Sequence, residues 1–512
     1  MNNPTEIELK LLVAPADIPG LRRHPLLKAL CTSGPKTRTL TSIYFDTDDF
    51  VLKKQFIALR VRRSGRQWIQ TIKGGGSVQA GLHQRDEWEA PVAHGTPDFS
   101  KITDPALARL FAGEDLRQRL HSVFVTEFRR TVWLLQTDAG DEVEMALDQG
   151  EIRAGQKSAA ICEVELELKA GNPAALYELA LALQEAAPLR AENASKAERG
   201  YALCAPQDKP LPLKAILPEV SREMSVDAAF RTIAWNCIAQ LQDNQNRLLQ
   251  GYDPELIHQM RVAVRRLRSA LSLFAAAAPG LKDTDLNEGL RWLLSQLGPA
   301  RDWDVFLGEI LPPVIAACPA EEGLLRLQEQ CEQICREKRE QACMLAAGPM
   351  YNELLLRLCA WLWRAPWRTT AAVAKLDMPV SVFAAKMLQR RYRQVCRRGR
   401  RFKALTAEQR HALRIATKKL RYAAEFFSGV YSRKVTRPYI QKLSQLQNVF
   451  GTLNDQVVAQ RLLAQIGGSG RLQDHAGGVI NGWSTCQSSH QLAVMAQAWK
   501  RFKRCGIFWD NE

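Results

Sequence analysis

Near the start of the chain, Glu6, Glu8 and Lys10 alternate with Ile7 and Leu9 in the stretch EIELK. The alternation returns further on. Arg60 and Arg62 alternate with Leu59 and Val61, and Thr71 and Lys73 flank Ile72. Arg85, Glu87 and Glu89 alternate along one segment, and Arg130 shares a segment with Trp133. Glu144, Ala146 and Asp148 fall on one face, and Glu163, Glu165 and Glu167 alternate with Val164 and Leu166. Carboxylates are the ligands a hard divalent cation takes, and Arg and Lys are the groups that grip phosphates. Both kinds on matching faces point to a metal together with a highly charged anion. For any one segment, a solvated face crossed by ion pairs is the plainer reading. Recurrence over at least seven segments favours the metal and anion.

A period of two is the signature of strands, so strands must carry these residues. Segments around 6–13, 41–46, 57–63, 67–73, 84–90, 123–135, 142–148 and 161–169 read this way. Helical stretches are expected near 15–31, 104–120 and 174–187. Strands this dense, with turns such as Gly74-Gly75-Gly76, suggest an antiparallel barrel or sandwich. A sandwich would bury an apolar face between two sheets. Here helices could cover the apolar faces instead, leaving the charged faces to line a closed barrel. Such a lumen is costly without a ligand, because its charges lose hydration.

The chain has 512 residues, 46% of them apolar and 24% charged, which exceeds one core and implies a multidomain globular protein. Its net charge of +16 is unevenly spread. Residues 1–205 hold 26 Lys and Arg against 27 Asp and Glu, a net of −1. Residues 206–512 hold 44 against 27, a net of +17, which suits a polyanionic partner. The twelve cysteines form no CxxC pair and read as reduced thiols. The start has no charged-then-apolar leader, and no apolar run reaches the ~18 residues of a membrane span. A cytoplasmic protein with no membrane partner is expected.

Pro206, Pro210, Pro212 and Pro218 mark a stiff linker. Beyond it the pattern is helical and duplicated. His258, Arg261, Arg265, Arg266, Leu267 and Arg268 are echoed by His411, Arg414, Lys418, Lys419, Leu420 and Arg421 at an offset of 153. The offset also lays Leu293 on Leu446, Gly298 on Gly451, Asp302 on Asp455 and Val305 on Val458. Two related helical bundles follow. Steps of 100° put His258, Arg261, Arg265 and Arg268 on one stripe, opposite Met260, Val264, Leu267, Leu271 and Phe274. The second stripe repeats the first, and the two could face each other across a pore or groove. From Lys386 to Lys403 there are nine further basic residues and no acid. Few aromatics interleave the stripes, which disfavours nucleic acid as the partner. His258 and His411 either tune anion binding with pH or anchor their helices.

The N-terminal 205 residues resemble a CYTH domain of the triphosphate tunnel metalloenzyme superfamily. Glu6-Ile7-Glu8-Leu9-Lys10 matches its ExExK signature. Tyr44-Phe45-Asp46-Thr47, Leu59-Arg60-Val61-Arg62, Thr71-Ile72-Lys73-Gly74, Arg85-Asp86-Glu87 and Ser195-Lys196 through Gly200-Tyr201 match its later blocks in order. Phe128 departs from the pattern, standing where many members carry a lysine two residues before the strand arginine, Arg130. Residues 219 to about 505 resemble a CHAD domain, and the combination is similar to bacterial CYTH–CHAD proteins, among them inorganic triphosphatases.

The resemblance implies an α+β multidomain chain. An antiparallel eight-stranded β-barrel forms the triphosphate tunnel (residues 1–205), a Pro-rich linker follows (206–218), and an all-α duplicated helical-bundle domain completes it (219–505). It implies hydrolysis of inorganic tripolyphosphate to pyrophosphate and phosphate with Mg2+ or Mn2+ as cofactor. The metal would be held by Glu6, Glu8, Glu87, Asp148, Glu163 and Glu165. Lys10, Arg60, Arg62, Lys73, Arg85, Arg130 and Lys196 would grip the phosphates, with Glu6, Glu8 and Lys10 central to catalysis. The CHAD stripes, including Arg266 and Lys419, would hold inorganic polyphosphate. Adenylate cyclase or thiamine triphosphatase chemistry, or a non-catalytic polyphosphate-binding scaffold, are the alternatives.

Overall fold

The computed structural model describes residues 5–205, 211–282, 284–466 and 471–509. Residues 206–210 of the expected linker lie outside these, as do the side chains of 452–456, and so that of Asp455. The described chain divides into two compact units. The first takes in the strand-rich part and a helix from much further on, Pro349–Arg364. That helix, drawn from the middle of the helical stretch, is tied to the first unit by paired hydrogen bonds from Arg364 to Glu178, at 2.7 and 2.6 Å.

Eight strands build the first unit: β1 (Thr5–Leu12), β2 (Lys36–Asp46), β3 (Ile57–Ser64), β4 (Gln67–Gln79), β5 (Leu82–Val92), β6 (His121–Gln136), β7 (Glu142–Ala154) and β8 (Lys157–Ala170). They are joined in the order β5-β4-β3-β2-β6-β7-β8-β1, and β1 pairs again with β5. Every one of these pairings is antiparallel, and the last closes the sheet into a barrel. Closure removes the free edges that an open sheet would expose. A two-residue strand, Arg190–Ala191, adds to β1.

Alternation along the strands decides what goes inside. Leu59, Val61 and Ile72 point outward and pack with Phe45, Leu52, Leu107 and Phe111 in one core cluster. The register aligns inward residues in rows. One row runs Arg38, Arg130, Asp148, Glu163 across β2, β6, β7 and β8. Two residues along, the next row is Leu40, Phe128, Gly150, Ile161. The inward face is therefore not charged throughout, as its alternation had suggested. Leu40, Tyr44, Phe124, Phe128, Ile152 and Ile161 form a dry plug at one end. Charges there would be buried beyond the reach of any ligand, so apolar filling is the stable solution. Gly150 is required by the plug: a Cβ would meet the Cα of Phe128 at 2.5 Å.

Helix α1 (Lys196–Cys204) caps this end. Ser195 and Glu198 form its capping box, and Ala197 and Tyr201 join the plug. The Tyr201 hydroxyl donates to Asp46 at 2.8 Å, and Asp46 also accepts from the backbone N–H groups of Thr47, Leu52 and Lys53. This one carboxylate ties the YFDT stretch to α1.

The second unit is almost wholly helical. Its principal helices here are α2 (Val226–Leu248), α3 (Pro254–Phe274), α4 (Val380–Arg398), α5 (Ala407–Phe426), α6 (Arg433–Ile466) and α7 (Arg471–Lys503). The offset of 153 carries Pro254 onto Ala407, so α3 and α5 start in step, and it lays α4 on α2. Phe274 packs against Phe230, Phe383 and Phe427 with ring centroids 5.1–5.8 Å apart, so both repeats share one core. No helix among the described residues is long and apolar enough to cross a membrane.

Candidate active site and anion-binding helices

The polar half of the barrel encloses a cavity of about 340 Å3. Seven carboxylates and nine Lys or Arg side chains line it, with only Tyr44, Ala58, Ser195 and Ala197 besides. Glu6, Glu8, Lys10, Arg60, Arg62, Lys73, Arg85, Glu87, Arg130, Glu165 and Lys196 all reach it. Asp148 and Glu163 lie behind the wall, 0% and 1% exposed, and act on it through the cations they hold.

Two electrostatic clusters stand out. In the first, the Lys10 ammonium bridges Glu8 (2.7 Å) and Glu165 (2.5 Å). Lys196 bridges Asp148 (2.6 Å), Glu165 (3.0 Å) and Glu163. Arg130 donates two hydrogen bonds to Asp148, at 2.7 and 2.6 Å, and one to Glu165, and Arg199 holds Glu163 at 2.6 Å. Burial alone would raise these carboxyls, but the cations win: Asp148 and Glu165 are held below the usual range. Glu8 is likewise held down at about 2, by Lys10 against burial. Single oxygens of Asp148, Glu163 and Glu165 lie within 4.8 Å of one another, a spacing that suits a cation.

In the second cluster, Lys73 bridges two acids, Glu6 (2.5 Å) and Glu87 (3.1 Å), and Arg60 also reaches Glu87. Among the described residues, Lys73 is the one cation paired with Glu6. Burial and the charges of Glu8 and Glu87 push the Glu6 carboxyl up to about 7. The charge at Glu6 is therefore only partly compensated, while the Asp148 trio is served by four cations, Lys10, Lys196, Arg130 and Arg199. All-oxygen donors with uncompensated charge fit a hard divalent ion. By that test Glu6, with Glu8 and Glu87 beside it, is better disposed to meet a metal than the trio, although the trio is the tighter group.

Arg62 is the counterpart on the cationic side. Its guanidinium donates to the Ser42 hydroxyl at 3.1 Å and forms no ion pair with a carboxylate among the described residues. Burial, Arg60 and Arg130 push it down to about 9, so an anion here would relieve it. Phe128, at the departure from the lysine pattern, is 2% exposed, and its ring is the plug's wall. Arg62, Arg130 and Lys196 stand 6.0, 5.6 and 5.0 Å from its centroid. An aromatic face thus gathers three cations where a lysine would repel them. Arg60 pairs with Glu87 at 3.2 Å, and Arg85 with Glu198 at 3.3 Å.

Sequence reasoning missed Arg38, Tyr44, Lys169 and Arg199. Arg38 and Tyr44 share the inward parity of β2, a signal hidden because Thr, Ser and Leu fill that strand's other positions. Arg199 lies one helical turn after Lys196.

In the helical unit, α3 and α5 pack together. Burial and the charges of Arg301, Arg265, Arg261 and Lys418 push His258 down to about 3. Lys418 of α5 acts there on α3, so the two stripes share one field. His411, Arg414 and Arg421 continue the α5 stripe, with Arg421 paired to Glu425 at 2.8 Å. Arg261 donates to the Leu294 carbonyl at 2.7 Å. Arg268 and Lys419 lie close in the same field. Arg266 is set apart. It is 1% exposed, donates to Gln240, Asn236 and the Ile216 carbonyl, and stacks over Phe426. It holds the core and cannot reach an external anion.

Residues 4–201 match a family model described as the CYTH domain, and residues 232–464 one described as the CHAD domain. A Haemophilus influenzae protein named inorganic triphosphatase is 31% identical over 259 residues, covering 50% of this chain and 70% of that protein. The crystal structure of the CHAD domain from the plant Ricinus communis is 35% identical with a TM-score of 0.50, covering 56% of this chain and 96% of that one.

Proposed function

Since the chain belongs to the CYTH–CHAD family, we propose that its barrel is a metal-dependent inorganic triphosphatase and its helical unit a polyphosphate binder. The observation that carries the barrel reading is a pair in one cavity: Arg62, a half-buried cation with no carboxylate partner among the described residues, and Glu6, whose one cation, Lys73, is shared with Glu87. An anion at the first and a metal at the second would settle both.

Phosphoryl transfer depends on positioning and charge neutralisation more than on covalent help. Arg62, Arg60 and Arg130, with Lys10, Lys73 and Lys196, would hold the phosphate oxygens. Arg38 and Arg85 would extend the grip. Glu6, Glu8 and Glu87, with Glu165 beside them, would hold Mg2+ or Mn2+. The bound ion supplies charge neutralisation and a water of lowered pKa. Asp148 and Glu163 position Lys196, Arg130 and Arg199 rather than touching substrate. The plug at α1 excludes water from one end. Product and substrate then share the other mouth. With Tyr44 the one ring in the lining, and Ala58 and Ala197 its small apolar side chains, an all-phosphate substrate is favoured over one with a base or thiazole.

Glu6→Gln and Arg62→Met test this. Each should lower metal-dependent phosphate release from tripolyphosphate by about a hundredfold or more, the loss of a charged contact made to the transition state. Full activity in both would sink the reading. On the helical unit, His258, Arg261, Arg265, Arg268, His411, Arg414, Lys418, Lys419 and Arg421 would line the polyphosphate path.

A further inference from the structure

A second basic feature lies on the helical unit, outside the paired stripes. The end of α3, the turn at Lys282 and the face of α4 enclose a cleft of about 910 Å3. Its cations are Lys282, Lys386, Arg390, Arg391, Arg393 and Arg397, and no acid lines it. Lys386, Arg390, Arg393 and Arg397 follow one helical face at steps of four, three and four. None of the six makes an ion pair with a carboxylate among the described residues, and Arg391 reaches only the Ser272 hydroxyl, at 3.4 Å. Like charges so spaced repel, by about 0.2–0.5 kcal/mol per pair, and persist where an anion is meant to meet them.

The duplication separates this cleft from the stripes. At the offset of 153, Lys386, Arg390, Arg391, Arg393 and Arg397 fall on Ile233, Cys237, Ile238, Gln240 and Asn244 of α2, all of them buried. The basic face of α4 has no symmetry mate. It is nonetheless continuous with the paired stripes: Lys419 of α5 lies in the field of Arg391, Arg398 and Arg268.

We propose that this one-sided cleft is an extension of the anion path, a second site that takes the phosphates of a long inorganic polyphosphate chain already held on the α3 and α5 stripes. This rests on the reading of the helical unit as a polyphosphate binder. Polyphosphate is favoured over RNA because no aromatic side chain lines the cleft to stack a base. Tyr392, the one aromatic in this stretch of α4, is turned to Phe502 and Trp509 instead. The cleft makes affinity depend on chain length, since a short chain would fill the stripes alone.

The test uses the full chain with chelator present, so that nothing is hydrolysed. Binding of long-chain inorganic polyphosphate and of single-stranded polyuridine RNA is measured over a range of salt. The variant Lys386→Gln/Arg390→Gln/Arg393→Gln removes three exposed charges, and Arg390→Lys/Arg393→Lys keeps the charge. Each phosphate contact contributes about 0.7 to the salt slope of a single-stranded polyanion, so the triple variant should flatten it by about 2 and weaken binding at least about tenfold. The lysine variant should bind as the unmutated protein does. An unchanged slope and affinity in the triple variant would overturn the cleft while leaving the stripes standing. Loss confined to RNA would overturn its assignment to polyphosphate. No polyphosphate binding by the unmutated protein would overturn the reading of the helical unit, and the cleft with it. Unchanged thermal unfolding of the triple variant establishes that its fold is intact.

Discussion

Lys196→Met removes the ammonium that bridges Asp148, Glu163 and Glu165. All three carboxylates are buried, and Lys10, Arg130 and Arg199 remain to serve them. Methionine matches the volume closely, so the cost is electrostatic. Taking one partner from a buried ion network costs about 3–5 kcal/mol, because the other charges cannot regain water. For a unit near two hundred residues, each kcal/mol moves the melting temperature by about 2–4 °C. The barrel transition should therefore fall by roughly 6–20 °C in chelator. The freed oxygens lie within 4.8 Å of one another, so divalent metal should take the vacated place. Saturation at a hundred times the dissociation constant returns about 2.7 kcal/mol. Differential scanning calorimetry in chelator, Mg2+ and Mn2+ measures both effects. The metal-induced rise should exceed that of the unmutated protein, and the deficit should shrink at pH 5, where a proton can replace the ammonium. A loss under about 1 kcal/mol, or a deficit untouched by metal, would refute the assignment of Lys196 as the cation of this trio.

Three further outcomes follow from the same geometry. Phe128→Leu keeps the plug apolar but removes the ring face behind Arg62, Arg130 and Lys196, each contact worth about 0.5–2 kcal/mol. kcat/KM for tripolyphosphate should fall about ten- to a hundredfold, and Phe128→Tyr should stay within a few-fold of the unmutated enzyme; equal kinetics in the leucine variant would discard the cation-gathering role. Burial and the neighbouring Glu8 and Glu87 push the Glu6 carboxyl up to about 7 in the metal-free barrel. Its raised pKa means that its own contribution to metal-free stability is full below about 4.5 and is lost as pH rises to about 7, whereas divalent metal needs the carboxylate and should bind more tightly over that same rise. Calorimetric titration of Mn2+ in buffers of different ionisation enthalpy should report about one proton released at pH 6 and almost none at pH 8.5. Arg266→Met should destabilise the helical unit by about 2–4 kcal/mol through its three abandoned acceptors and leave polyphosphate affinity unchanged, while Arg265→Met should do the reverse. Chemical unfolding and binding titrations of the pair would expose an exchange of roles.

The barrel was legible because period-two alternation survives in nearly every strand. Residues such as Glu163 and Glu165 announce an inward face by charge alone. The plug was not legible, because Leu40, Phe124, Phe128 and Ile161 share the parity of the charged residues but look like ordinary outward-facing core. Only the register shows that Leu40, Phe128 and Ile161 sit one row beyond Arg130 and Asp148, with Phe124 two rows further on. Phe128 could be seen to break a pattern, but its role depends on three cations from three different elements. In the helices, periodicity separated Arg261 and Arg265 from the apolar side, yet Arg266, one step off the stripe, was grouped with them by charge. Burial and the amides of Asn236 and Gln240 turn it inward, a tertiary fact. The helix Pro349–Arg364 joins the barrel unit through residues such as Glu178 that lie far away in sequence.

Phosphate release from tripolyphosphate, ATP, thiamine triphosphate and long-chain polyphosphate, each with Mg2+, Mn2+ or chelator, tests the central claim most directly. Rapid release from tripolyphosphate that requires metal, with little from the organic triphosphates, is the result predicted. Release from none of them, with tight binding of polyphosphate, would contradict it and leave the barrel an anion-holding scaffold.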